Sequence, residues 1–194
     1  MKKASEDLIH EHETILTALD LIERMYERVQ QGRETDVKDI EDMIGFLRLF
    51  ADKCHHGKEE MFLFPALEVT GVKNQGGPIG VMLEQHRRGR ELIKQMHDSI
   101  ANNTINKKSF IEAASSYVTL LRMHIEKENT YLFPMCDDRL SQSKQKELLE
   151  SFQKLEEEVI GHGVHEELHH LLNRLKKKFF QTIKTFMTSE LTLR

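Results

Sequence analysis

Of 194 residues, none is tryptophan, three are proline and two are cysteine. Two cysteines cannot supply a disulfide framework. Cys54 and Cys136 read as reduced, partly buried thiols. No apolar run approaches the roughly 20 residues that span a bilayer, so no transmembrane helix is expected. There is no excess of positive charge either. The net charge is −4 with histidine neutral, so nothing suggests a nucleic-acid footprint. The start, Met-Lys-Lys-Ala-Ser-Glu-Asp, leads into an amphipathic segment rather than a signal-peptide core, and a cytoplasmic location is expected by default. Neither a Ser/His/Asp arrangement nor a Gly-rich phosphate motif is present. With 39% hydrophobic and 31% charged residues, the composition is that of a soluble, helix-rich protein with one substantial core.

What the chain has in excess is histidine, with 11 residues. Several lie in a segment that occurs twice. The first copy is Cys54-His55-His56-Gly57-Lys58-Glu59-Glu60-Met61-Phe62-Leu63-Phe64-Pro65. The second is Met123-His124-Ile125-Glu126-Lys127-Glu128-Asn129-Thr130-Tyr131-Leu132-Phe133-Pro134. A shift of 69 (134 − 65) superimposes Leu-Phe-Pro on Leu-Phe-Pro, Lys127 on Lys58, His124 on His55 and Glu128 on Glu59. His56 and Glu60 fall outside the match. The repeat therefore selects His-x3-Glu. On an α-helix, residues i and i+4 share a face, with Cβ atoms about 5–6 Å apart. A histidine and a carboxylate so placed can bind one metal ion, or the carboxylate can bridge to a second.

The apolar periodicity predicts four helices. The first carries Leu8, Ile15, Leu19, Ile22, Tyr26 and Val29 at alternating steps of three and four, with His12 filling the gap, and Ser5 as N-cap. The second starts near Asp36, turns Ile40, Ile44, Leu47, Ala51, His55, Glu59 and Phe62 inward, and ends or kinks at Pro65. A glycine-rich loop over residues 71–80 leads to the third, with Met82, His86, Gly89, Ile93, Met96 and Ile100. The fourth turns Phe110, Ala114, Tyr117, Leu121, His124, Glu128 and Tyr131 inward, and Pro134 closes it. Each half of residues 1–136 thus places one histidine early in its first helix and a His-x3-Glu late in its second. An all-α, up-down-up-down four-helix bundle brings all six groups to one depth. Unpaired, they would cost several kcal/mol, and a bound metal removes that cost.

His12, then His55-x3-Glu59, then His86, then His124-x3-Glu128, with Leu-Phe-Pro after each pair, resembles the hemerythrin-like, HHE cation-binding domain over roughly residues 5–136. The resemblance implies a four-helix bundle around two iron ions with an oxo or hydroxo bridge. Glu59 and Glu128 would bridge, and the four histidines would ligate from outside. The oxygen carriers of that family place another histidine four residues after the one matching His86. Here that position is Arg90, which argues against simple reversible carriage and leaves a position open.

Residues 137–194 read as a C-terminal helical extension packed on the bundle. After Ser141, Leu148, Phe152, Leu155 and Val159 form one amphipathic helix. A last helix follows Gly161-His162-Gly163-Val164-His165-Glu166. That glycine-flanked segment also resembles the tails of some hemerythrin-like proteins. His165, or less favourably His169, is the expected filler of the open position, with Glu166 supporting it, and Lys176-Lys177-Lys178 is expected to be a solvated face. Imidazole and carboxylate ligands suit iron, zinc or manganese, and two metals suit this set better than one. The expected function is binding or sensing of O2, NO or peroxide, or iron buffering, with an unidentified redox partner. The alternative is an enzyme consuming peroxide, O2 or NO, in the manner of a catalase or oxidase. A metal-free helical interaction module fits poorly with an inward charged layer.

Overall fold

The computed structural model describes residues 2–159, 161 and 164–180. Helix α1 (Ala4–Gln30) is capped by Lys3, whose backbone N–H donates to Glu6 Oε2 at 3.1 Å. Ser5 is not the cap. It is buried inside the first turn, and its hydroxyl donates to Asp137 at 2.6 Å. Helix α2 (Val37–Phe46) starts where Asp36 accepts from the Lys38 N–H. It continues through π-helical turns at Leu47–His56 and Glu59–Leu63 into α3 (Phe64–Val69). Gly57 and Lys58, between the wide turns, keep right-handed helical dihedrals, so this is one rod.

After the glycine-rich loop, Pro78 opens α4 (Pro78–Asp98) at its first position. A two-residue ladder of β1 (Ile100–Ala101) and β2 (Thr104–Ile105) turns through Asn102 and Asn103, both left-handed (φ 49° and 57°). Helix α5 (Lys107–Lys127) then passes through a π-helical turn at Glu128–Leu132 into α6 (Phe133–Arg139). Helices α7 (Gln142–Val159) and α8 (Val164–Phe180) complete the described chain.

Neither Pro65 nor Pro134 ends its rod. A proline lacks the N–H that an α-turn requires, and its ring meets the carbonyl four residues back, here Met61 and Thr130. Each rod instead widens just before its proline and runs on, to Val69 and to Arg139.

The rods pack as an all-α, four-helix bundle: α1 against α5, α5 against α4, and the α2–α3 rod against α1 and α4. Its core is divided. One apolar cluster holds Ile15 to Val29 of α1, Ile40 to Cys54, Leu92 to Met96 and Phe110 to Ile125. The other holds Ala4, Leu8, Leu63 to Leu67, Ile79, Met82, Leu132 and Phe133. Between them lies a buried polar layer of His12, His55, His56, Glu59, His86, His124 and Glu128. Helix α7 lies over the two wide turns of the second rod and adds Leu148 and Phe152 to the smaller cluster. Helix α8 lies along α1 and α2, adding Leu168, Leu172, Leu175 and Phe179 to the larger. Lys178 is no free surface charge, because it pairs with buried Asp39. Among the described residues, no helix is long and apolar enough to cross a membrane.

Candidate metal centre

Each helix delivers its part of the layer at one depth. Helix α1 brings His12, the second rod His55, His56 and Glu59, α4 brings His86, and α5 with its wide turn brings His124 and Glu128. All seven are at most 3% exposed. Their ligand atoms fall into two sets, each within 4.8 Å: His56, Glu59, His86 and His124, and then His12, His55, Glu59 and Glu128. Glu59 belongs to both. Glu128 joins the sets as well, since its Oε2 lies 3.1 Å from His124 Nε2 and 3.3 Å from His12 Nε2.

The outer nitrogen of four of the imidazoles is held by an acceptor. His12 Nδ1 meets Asn129 Oδ1 at 2.8 Å, and His55 Nδ1 meets Glu11 Oε2 at 2.9 Å. His86 Nδ1 meets Glu60 Oε1 at 2.7 Å, and His124 Nδ1 meets Gln85 Oε1 at 3.2 Å. An acceptor at Nδ1 places the ring proton there and turns the Nε2 lone pair inward, the arrangement metal-binding histidines use. The inward atoms crowd one another: Nε2 of His12 and His55 are 2.9 Å apart, and those of His86 and His124 are 3.2 Å apart. Where both rings of a pair are neutral, lone pair then faces lone pair. Among the described residues, all four oxygens of Glu59 and Glu128 lack a hydrogen-bond partner, as do both ring nitrogens of His56. Orphaned buried acceptors of this kind are costly unless a cation sits among them.

The protonation pattern agrees. Burial drives His55 well below the usual histidine value and His56 down to about 4, and it lowers His86 too. These rings stay neutral, as ligands must. Burial, then the neighbouring Glu128, raises the Glu59 carboxyl. Burial also opposes ionisation of Glu128, but His124 and His12 outweigh it and hold that carboxyl well below the usual range. His124 is the exception among the rings: burial works against its charge, and Glu128 overcomes that and raises it. The protein side chains alone thus draw a proton into the layer, which marks a region that favours positive charge.

Five imidazoles and two carboxylates form a nitrogen–oxygen set suited to iron, manganese or zinc. Neither thiol takes part. Cys54 and Cys136 are buried, and burial pushes both up to about 12.

The structure brings together His12, His55, Glu59, His86, His124 and Glu128, and it adds His56, which the internal repeat had set aside. His56 stacks on His86, with centroids 3.8 Å apart at 16°. It is the fifth imidazole among the described residues. His165 is the second residue of α8, and its side chain lies outside the described residues. Glu166 and His169 lie on an exposed part of α8. Arg90 stands at the cage's edge, where it donates to Asp52 at 2.6 Å and to Glu60 at 2.7 Å, so it steadies the carboxylate behind His86. Two adjacent histidines in a core-facing rod, with an arginine where another histidine was expected, were the sequence signal for His56.

The profile of the hemerythrin HHE cation-binding domain matches residues 3–136. An uncharacterized protein of Mycobacterium tuberculosis is 25% identical over 166 residues, covering 81% of this chain and 63% of its own length. The iron-sulfur cluster repair protein YtfE of Edwardsiella ictaluri is 30% identical over 129 residues, covering 63% of this chain and 58% of its own. An uncharacterized hemerythrin-like protein of Schizosaccharomyces pombe is 26% identical over 109 residues, covering 56% and 52%. The chain therefore spans between about half and just under two thirds of these relatives. No solved structure matches it significantly.

Proposed function

The chain belongs to the hemerythrin HHE cation-binding domain family, and on that premise we propose that it holds two iron ions in this cage and binds a small diatomic ligand or peroxide there. The observation that carries the reading is the shared carboxylate. Glu59 lies in both sets of ligand atoms, and among the described residues neither of its oxygens has a hydrogen-bond partner. Five imidazoles and two bridging carboxylates give roughly nine bonds, whereas two six-coordinate ions need about twelve. The balance leaves positions for a small ligand. Iron, when bound, supplies redox-active Lewis-acid sites for it. The chain's own part is to aim four Nε2 lone pairs through fixed Nδ1 contacts, and to keep bulk water out with an apolar cluster on each side.

A second reading, iron storage or supply, is favoured by the similarity to a protein named for iron-sulfur cluster repair. Burial of all seven ligands argues for retention, since iron leaves only when the bundle opens. Metal analysis with an optical spectrum tests the proposal. The expected result is about two iron per chain with near-ultraviolet ferric absorption. Zinc alone under iron-replete expression would overturn it. Oxygen evolution from hydrogen peroxide above that of free iron would add turnover to binding. Rapid transfer of the iron to a mild chelator would favour supply.

A further inference from the structure

Between the ligands His55 and Glu59 stands Lys58, a cation 1% exposed. An ammonium has three N–H donors, and Lys58 Nζ has three carboxylates: Glu11 Oε1 at 2.6 Å, Asp7 Oδ2 at 3.2 Å and Glu156 Oε2 at 3.3 Å. The first two come from α1 and the third from α7. Nζ also lies 5.7 Å from the centre of the Phe152 ring of α7. Glu11 is itself buried, and its other oxygen holds His55 Nδ1 at 2.9 Å. A continuous chain of contacts therefore runs from Glu156 at the surface through Lys58 and Glu11 to a metal-facing imidazole.

Among the described residues, the second copy of the repeat has nothing equivalent. Lys127, which matches Lys58, is only half-buried, and the group behind His124 is the neutral Gln85. The carboxylate behind His86, Glu60, is steadied instead by Arg90, which is 41% exposed. Among the described residues, only the His55 side is sealed by an extension helix.

We propose that Lys58, anchored by Glu156 of α7, is a positioning residue of the metal centre. It fixes Glu11 so that the free carboxylate oxygen locks the orientation and tautomer of His55, and this makes the C-terminal extension a working part of the site. The iron-binding consequence rests on the reading above, but the effect on His55 does not. Carboxylates behind metal-bound histidines raise ligand basicity, and losing such partners typically weakens metal binding 10–100-fold.

The test uses the full chain with Lys58→Met, which keeps the stem and drops the cation, and Glu156→Gln. In metal-free protein, long-range nitrogen–proton correlation spectra report the His55 tautomer. The expected wild-type result is a single form with the proton on Nδ1. Lys58→Met should give a mixture, and Glu156→Gln a smaller change in the same direction. Competition with a chelator should show ferrous iron bound about 10–100-fold more weakly by Lys58→Met. If both variants only lower the melting temperature while tautomer and iron affinity stay as in wild type, the contact merely docks α7 and the proposal is wrong. If wild type binds no iron, the metal reading fails and the tautomer comparison still decides this one. Should Lys58→Met fail to fold, Glu156→Gln at the partly exposed rim carries the test alone.

Discussion

Replacing Glu59 by glutamine should make the metal-free protein more stable. Glu59 is fully buried, and neither oxygen has a hydrogen-bond partner. Burial, then the Glu128 carboxylate, pushes its carboxyl up to about 7 from the usual 4.5. Between those two values the folded chain keeps a proton that the unfolded chain has released. The penalty is therefore absent below 4.5, grows across the window and is complete above 7. At about 1.4 kcal/mol per pH unit, ionised Glu59 costs the metal-free fold on the order of 3 kcal/mol. Glu59→Gln keeps the shape and removes the charge. Urea melts of chelator-treated protein at pH 8 should show a gain near that size, or roughly 6–12 °C in a chain of this length. The gain should vanish near pH 4.5. With iron in excess the order should reverse, because the variant has lost the carboxylate that both ligand sets share. A metal-free variant less stable than wild type at pH 8, a gain that persists at pH 4.5, or unchanged iron content would refute the reasoning.

His56→Leu should lower iron content towards one per chain, since it strips a ligand from the set containing His86 and His124 and leaves the set around His12 and His55 intact; metal analysis of the purified variant checks this. The same variant should fold well without metal, because neither ring nitrogen it removes makes a hydrogen bond and Asp52, 3.6 Å from Nδ1, keeps Arg90. Cys54 and Cys136, with thiols pushed up to about 12, should react with iodoacetamide at pH 8 about a thousandfold more slowly in the folded chain than in denaturant. Rapid modification of the native protein would contradict their burial.

The bundle and its polar layer were legible because they rest on periodicity, and periodicity survives in a sequence. His12 and His86 fall in otherwise apolar seams, and the paired His-x3-Glu recur at a fixed shift. Two things escaped for physical reasons. A repeat shows what both copies share, and the site is not symmetric: the position matching His56 is Ile125, which packs in the larger apolar cluster. The centre therefore takes its fifth imidazole from one half only. Lys58 and Glu11 escaped because their pairing joins the second rod to α1, with α7 over Lys58, a tertiary contact that no local pattern encodes. Pro65 and Pro134 misled for a related reason. Proline forbids an α-turn but not a wider one, and widening the turn beside a ligand lets the rod continue past the cage.

Two sets of buried acids in this chain differ in how their charge is met. Asp39 is as inaccessible as Glu59, but α8 supplies its counter-charges, with Arg174 at 2.8 Å and Lys178 beside it. It is a docking contact, complete within the chain, and no ligand is needed to explain it. Among the described residues, Glu59 and Glu128 have no arginine or lysine within ion-pair distance. What faces them is imidazole nitrogen at 3.1–3.6 Å, and the outer nitrogens of His12, His55, His86 and His124 meet Asn129, Glu11, Glu60 and Gln85. Rotating any of these rings to donate inward would break its outer contact. The outer contacts thus favour inward lone pairs on the neutral rings, which a cation among them would satisfy, as the proton drawn to His124 does in part.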